Sequence, residues 1–501
     1  MMGRNSLFDR VLSPRETLVL FAVAAFVFVY PLILADFFYI DDSWRSQLAG
    51  TGWREEGRWF NELFYTALTF TGAAPNIFPL PLLIATLAMA FALRRLTFHY
   101  FPQPTLSACL VVLPLWYSPY FLQNLSYQYD GPTMALSVVA MVYALTFQSR
   151  HRWLQILWPG VLIAVAMGFY QLSLNVFIGL CCIEVVRVVV ERQPPDRAWR
   201  LALYKVGQLL AGGLVYYLTA YRFMTQLRQG LLGIQPDLFS ELGTRLALVA
   251  ARVGLLVNDG NRWLCLLLGV GAVVGWLWAV WRMRGQPRLH SAVALVFYLL
   301  SLPLILVCIS GITLLFRDFN DGARTLMGLS SVLVLVLYLN HSVLHKIQPR
   351  LGLLLIVPVL CLLSFSYAYG RVLNVQKELT NTVLQQLSHD LGSHRELREA
   401  HTLYMLNIGT TAAWLPAARG SNTLMPALKY VLNINFFVLP EMLPRAGWTN
   451  VIQSNPPYSA AQLAQNGFLP LVQGRFYDLY ALQGDGYIVM KPVTDAESYQ
   501  W

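Results

Sequence analysis

Apolar residues in this chain fall into long uncharged runs rather than the short alternations of a soluble core. The runs predict helices at about 17–35, 76–93, 104–122, 133–148, 153–169, 172–190, 202–221, 263–281, 291–315, 326–340 and 351–368. Each is close to the ~20 residues that cross a bilayer's hydrocarbon. The first, Thr17 to Ala35, carries no charge and exceeds the ~7–15-residue apolar core of a secretory signal, so a retained anchor is expected. After residue 368 the pattern changes. Spacing in VLNVQKELTNTVLQQLSHDL places Val372, Val375, Leu379, Val383, Leu384 and Leu387 near one helix face, whereas TLYMLNIG and YIVMKPV read as strands. FYDLYALQGDGYIVMKP reads as a hairpin turning at Gly484-Asp485-Gly486. The expected architecture is a polytopic α-helical membrane domain, residues 1–368, with loops 36–75 and 222–261 on one side, followed by a soluble α/β domain, 369–501.

Composition agrees, since 56% hydrophobic and 12% charged residues over 501 positions exceed what one soluble core can bury. Basic residues then fix an orientation. Arg4, Arg10 and Arg15 precede the first run, and Arg94/Arg95, Arg150/Arg152, Arg187/Arg192/Arg197/Arg200, Arg282/Arg284/Arg288 and Lys346/Arg350 mark every second loop thereafter. Such loops stay in the cytoplasm. The N-terminus is therefore expected inside, with the acid-rich loops and the C-terminal domain on the non-cytoplasmic face. A net charge of +10 is largely accounted for by this pattern and by anionic lipid, so no nucleic-acid partner is implied. All six cysteines fall in apolar runs, as small buried hydrophobes do, and form neither a disulfide framework nor a metal motif.

Two carboxylates, Asp41 and Asp42, follow the first run directly, in YIDDSWRSQLAGTGWREEGRW. Acids at a span end often cap a helix or sit in water. Here Arg45, Arg54, Glu55, Glu56, Arg58 and Glu62 crowd the same loop, and Phe60, Leu63, Phe64, Ala67 and Leu68 form the stripe of an interfacial helix. Paired acids beside a bilayer can take a proton from a hydroxyl, and guanidinium groups suit a phosphate.

That loop resembles the signature loop of the phage-type serotype-converting glucosyltransferases, the Gtr family, in its acid pair, Arg, Trp and Gly-Arg. The likeness extends to chain length, the number of runs and GFYQLSLNVFIG with Tyr170-Gln171. It implies the C-type membrane glycosyltransferase fold, with a first-loop carboxylate next to a lipid-phosphate sugar donor on the non-cytoplasmic face, and glucose as the sugar. O-antigen of lipopolysaccharide is then the kind of acceptor expected. A synthase that makes the donor and a flippase that delivers it are the expected pathway partners.

Chemistry supports the location independently, because nucleotide sugars are cytoplasmic and an outward transferase needs a donor activated by a membrane-anchored phosphate. Asp41 or Asp42 is expected to deprotonate the acceptor hydroxyl, with inversion at the anomeric carbon. Arg58, Arg324 and Arg317 are the candidate phosphate ligands. Glu55, Glu56, Asp130, Tyr170 and Gln171 are candidate sugar or acceptor contacts, although tyrosines at span ends also serve as interfacial anchors. No cofactor is needed; a divalent cation is compatible with the acids, without a complete ligand set. Glu184 is read as a structural partner of Arg187, and His99, His151, His341 and His345 as solvated loop residues. A lipid-linked sugar flippase is the rival from another class, disfavoured because transporters carry ionisable groups near mid-membrane. A polymerase, a ligase or an aminoarabinose-type transferase of the same face is the nearer alternative.

Overall fold

The computed structural model describes residues 10–225, 230–233, 237–282, 288–410 and 414–493. The expected topogenic residues Arg4 and Arg284 lie outside them. Its helices are α1 Pro14–Ala35, α2 Asp42–Leu48, α3 Trp59–Thr69, α4 Leu80–Tyr100, α5 Leu106–Val112, α6 Phe121–Ser126, α7 Asp130–Thr146, α8 Leu154–Phe169, α9 Ser173–Val190, α10 Asp196–Leu218, α11 Leu238–Gly254, α12 Arg262–Arg282, α13 Arg288–Val307, α14 Leu329–Ile347, α15 Ile356–Ser393, α16 Arg395–Arg398, α17 Arg419–Leu424, α18 Ala427–Leu432 and α19 Ala460–Gln465.

Among the described residues, seven helices are long and apolar enough to cross a membrane: α1, α4, α9, α10, α12, α14 and α15. At the other four expected spans stand shorter apolar helices, α5 with its 3-10 extension, α7, α8 and α13. Eleven crossings therefore do not follow from helix length. The run at 104–122 departs most, because Pro114 and Pro119 break it into α5, a 3-10 turn and a separate α6.

Local chemistry accounts for the ends of α1. Ser13 accepts a hydrogen bond from the Glu16 backbone N–H, the Glu16 side chain reaches back to Ser13, and Pro14 takes the first turn. At the far end Asp36 adopts a left-handed conformation and its N–H closes on Leu32. Against α1 lies α15, which approaches so closely that a Cβ at Gly370 would strike Pro31. Ser366 Oγ donates to Phe28 O at 2.6 Å across the same interface.

Helix α15 runs 38 residues without a break at 368. Its first part carries the apolar surface of a span, and its second buries Val372, Leu373, Val383, Leu384, Leu387 and Leu391. Beyond it a five-stranded sheet has the order β2-β1-β5-β4-β3, from β1 Leu403–Leu406, β2 Val451–Ile452, β3 Val472–Gln473, β4 Tyr477–Leu482 and β5 Asp485–Met490. Strand β1 pairs parallel to β2 and β5, and the β3-β4-β5 meander is antiparallel. Leu482 pairs with Asp485, so the hairpin turns on Gln483-Gly484, one residue earlier than expected, with φ of 53° and 87°.

Candidate active site

The first loop folds around Asp42. Its carboxylate is fully buried and accepts the backbone N–H groups of Tyr39 at 2.9 Å, Gln128 at 2.9 Å and Tyr129 at 3.3 Å. Burial pushes its pKa up to about 8, against the pull of those three donors. Asp42 thus staples the loop to the turn between α6 and α7. Its neighbour is placed differently. Asp41 opens α2 without a side-chain cap, is half-buried, and its carboxylate accepts no hydrogen bond among the described residues. Burial raises its pKa, the Asp130 carboxylate adds to this, and Arg45 and Arg324 oppose it. The acid left with an unoccupied carboxylate is Asp41, held there after Ile40, whose φ of 47° is costly for a β-branched residue.

Around the acids stands a charge cluster centred on buried Asp130 at the start of α7. Trp53 Nε1 donates to Asp130 Oδ1 at 2.8 Å, Arg58 Nη1 lies 3.3 Å from the same oxygen, and Arg45 Nε lies 3.6 Å from Oδ2. Arg45 is buried between the rings of Trp44 and Trp53, and it donates to Thr51 O. Arg58 also pairs with Glu56 at 3.3 Å and sits 5.0 Å from the centroid of the Tyr170 ring. Burial lowers the Arg58 pKa, but Asp130 and Glu56 outweigh it, so the cation is secured.

Arg324 comes from the 3-10 turn before α14. Its backbone N–H donates to Gln123 Oε1 at 2.6 Å, and Nη1 donates to Tyr127 OH at 2.7 Å. No carboxylate pairs with it among the described residues, although Asp41 and Tyr170 are near enough to raise its pKa. A half-buried guanidinium with no acid partner and four uncommitted N–H groups can accept an anion.

Of the other expected residues, Gln171 donates to Glu56 O and to Tyr216 OH, both at 3.0 Å, and locks the loop against α10. Tyr216 OH donates to Gly57 O at 3.2 Å, and Gly57, at φ 72°, has no Cβ to obstruct it. Glu55 is exposed and outside the cluster. Arg317 is exposed too. The loop it belongs to is tied down by Arg245 of α11, which donates to Leu314 O, Phe316 O and Arg317 O, while Asp321 pairs with Arg252 at 2.7 Å. Among the described residues Arg317 pairs with neither Asp318 nor Asp321, and α11 supplies the cation to Asp321 instead.

Glu184 does pair with Arg187, at 2.9 Å. His99 is no ordinary solvated residue, lying 3.1 Å from the buried Glu184 carboxylate, and His341 is buried beside Ser107 at 3.2 Å. Among the described residues no group of three His, Cys, Asp or Glu side chains could hold a metal.

Sequence reasoning missed the aromatic floor: Trp53 stacks on Tyr65 at 5.2 Å, and Tyr65 stacks on Tyr129 at 5.6 Å. A tryptophan inside a charged loop was the available signal. Asn61 was missed as well, buried with both amide atoms unpartnered among the described residues. So was the contribution of the C-terminal domain. Tyr39 OH donates to Leu432 O at 2.6 Å, Gln47 Nε2 to Glu441 O at 2.5 Å, and Arg445 lies 3.6 Å from the centroid of the Phe38 ring.

A family model described as glucosyl transferase GtrII matches residues 30–335, which hold Asp41, Asp42, Asp130 and Arg324. The chain belongs to the GtrII family. A GtrII relationship also fits the similarity to an uncharacterized 55.3 kDa protein in the gtrB 5′ region of Salmonella phage P22, 26% identical over 207 residues. That alignment covers 41% of this chain and 43% of the phage protein, so the two correspond over less than half their lengths. No solved structure matches. The match spans every element of the Asp130 cluster, in a chain that carries apolar helices long enough to cross a membrane.

Proposed function

We propose that the chain transfers glucose, with inversion, from a polyprenyl-phosphate-linked donor to a cell-surface glycan such as O-antigen at the periplasmic face of the bacterial inner membrane. The observation that carries this is the contrast within the acid pair. Asp42 is consumed by three backbone donors, whereas Asp41 keeps an unoccupied carboxylate next to an acid-free Arg324. Asp41 takes the proton of an acceptor hydroxyl as its oxygen forms a bond to the anomeric carbon. The bond from that carbon to the donor phosphate breaks, and its electron pair leaves on the phosphate oxygen. Arg324 hydrogen-bonds that phosphate, and Arg58, oriented by Asp130 and Glu56, adds positive field at its flank. Raising the Asp41 pKa by burial makes it a better base at neutral pH.

Residues 1–368 form the transferase domain and the remainder the acceptor-side domain, joined by continuous α15. Donor synthase and flippase act upstream of this step. The test is transfer by the purified protein in lipid vesicles from radiolabelled polyprenyl-phosphate glucose, set against UDP-glucose. Transfer from the lipid donor alone is expected; transfer from UDP-glucose alone would overturn the reading.

A further inference from the structure

Between the membrane part and the C-terminal domain lies a cleft of about 610 Å3, within the range of small-molecule sites. One wall is Ile40, the residue before Asp41, with Arg252 at the end of α11; the other is Lys429, Tyr430, Asn433 and Asn435 of and after α18. We infer that this cleft binds the saccharide acceptor, an inference that rests on the function proposed above.

Its walls are fixed rather than loose. Tyr430 is held with its ring against Tyr120 at 5.1 Å and under the Arg252 guanidinium at 5.2 Å, and its hydroxyl donates to Asp321 O. The carbonyl of Leu432, one turn residue away, is tied to Tyr39. Two side chains remain uncommitted on this frame. Half-buried Lys429 and exposed Asn433 make no side-chain hydrogen bond or ion pair among the described residues. Asn433 sits in the left-handed cap of α18, φ 45°, which fixes where its amide points from.

The chemistry selects a sugar. An amide donates and accepts at once, matching a pair of neighbouring hydroxyls, and an ammonium supplies further donors to ring or hydroxyl oxygens. Among the described residues no carboxylate lines the cleft, so neutral or acidic sugars are admitted and cationic ones are disfavoured. A lipid phosphate fits less well: Arg252 is already paired with Asp321, and the acid-free guanidinium, Arg324, belongs to the neighbouring cluster. Through Ile40 the cleft meets the backbone of Asp41, where the acceptor hydroxyl must arrive.

The test uses full-length protein in lipid nanodiscs with radiolabelled polyprenyl-phosphate glucose and a panel of O-antigen repeat-unit oligosaccharides. Donor hydrolysis without acceptor is followed alongside transfer. Lys429→Ala and Asn433→Gly, the glycine preserving the turn, are each expected to raise the oligosaccharide KM about tenfold, with donor KM and donor hydrolysis unchanged. An unchanged oligosaccharide KM in both variants would overturn the inference while leaving the proposed function standing, as would a shift confined to donor KM. Wild-type protein that neither hydrolyses the lipid donor nor transfers from it would instead remove the proposed function, and the inference with it.

Discussion

Adjacent carboxylates with the same chemistry are given opposite work by their surroundings. Asp42 satisfies three N–H groups, two of them from the α6–α7 turn, far away in the chain. Asp42→Ala would leave all three buried and unpaired, at about 1–3 kcal/mol each. A loss of several kcal/mol is expected, read as a lower Tm in detergent, with Asp42→Asn losing less because its amide oxygen still accepts. Asp41 is the proposed base, and burial raises its pKa from the ordinary aspartate value. Transfer should therefore fall as pH drops through that raised value, because protonation removes the base. A pH profile of kcat/KM checks this; a flat acid limb down to the ordinary Asp range would oppose it. The sequence displays the pair and its Arg-rich setting plainly, but not the division of labour. That division depends on which carboxylate meets backbone donors from Gln128 and Tyr129, and no local pattern encodes it.

At the scale of elements, apolar runs were legible because lipid contact imposes them directly, and a helix or helical segment stands at each expected position. Their lengths were less legible, since Pro114 and Pro119 end helices that hydropathy alone continues. The expected boundary at 368 falls inside α15, because one helix can exchange a lipid-facing surface for a packed one without changing its period. The interfacial stripe of α3 is largely unburied, Leu63 at 42% exposure, while Asn61 and Tyr65 face the protein, as suits a helix with one side toward lipid. Arg324 lies on the turn that opens α14, bound to α6 through Gln123 and to Tyr127. Replacing its planar fork with the point charge of Arg324→Lys should weaken donor binding about ten- to a hundredfold, the worth of roughly 1.5–3 kcal/mol. A donor titration in lipid reads it, with the exposed Arg317→Lys as the comparison expected to move little.

For the whole molecule, one end of the helical bundle carries the first loop, the Arg324 turn and the C-terminal domain, joined through Tyr39, Gln47 and Arg445. The proposed function requires that end to face the periplasm. Cysteines placed at the exposed positions Leu48 and Ser421, in a background lacking the six native ones, should react with an impermeant reagent in outer-membrane-permeabilised cells, and His151→Cys should be protected. The reverse pattern would invert the topology. The most direct measurement of the account is single-turnover transfer from polyprenyl-phosphate glucose by Asp41→Asn, at matched abundance and with donor binding measured in parallel. The prediction is wild-type donor affinity with transfer slowed at least about a hundredfold, as loss of a general base entails. Near-wild-type transfer by Asp41→Asn would contradict it.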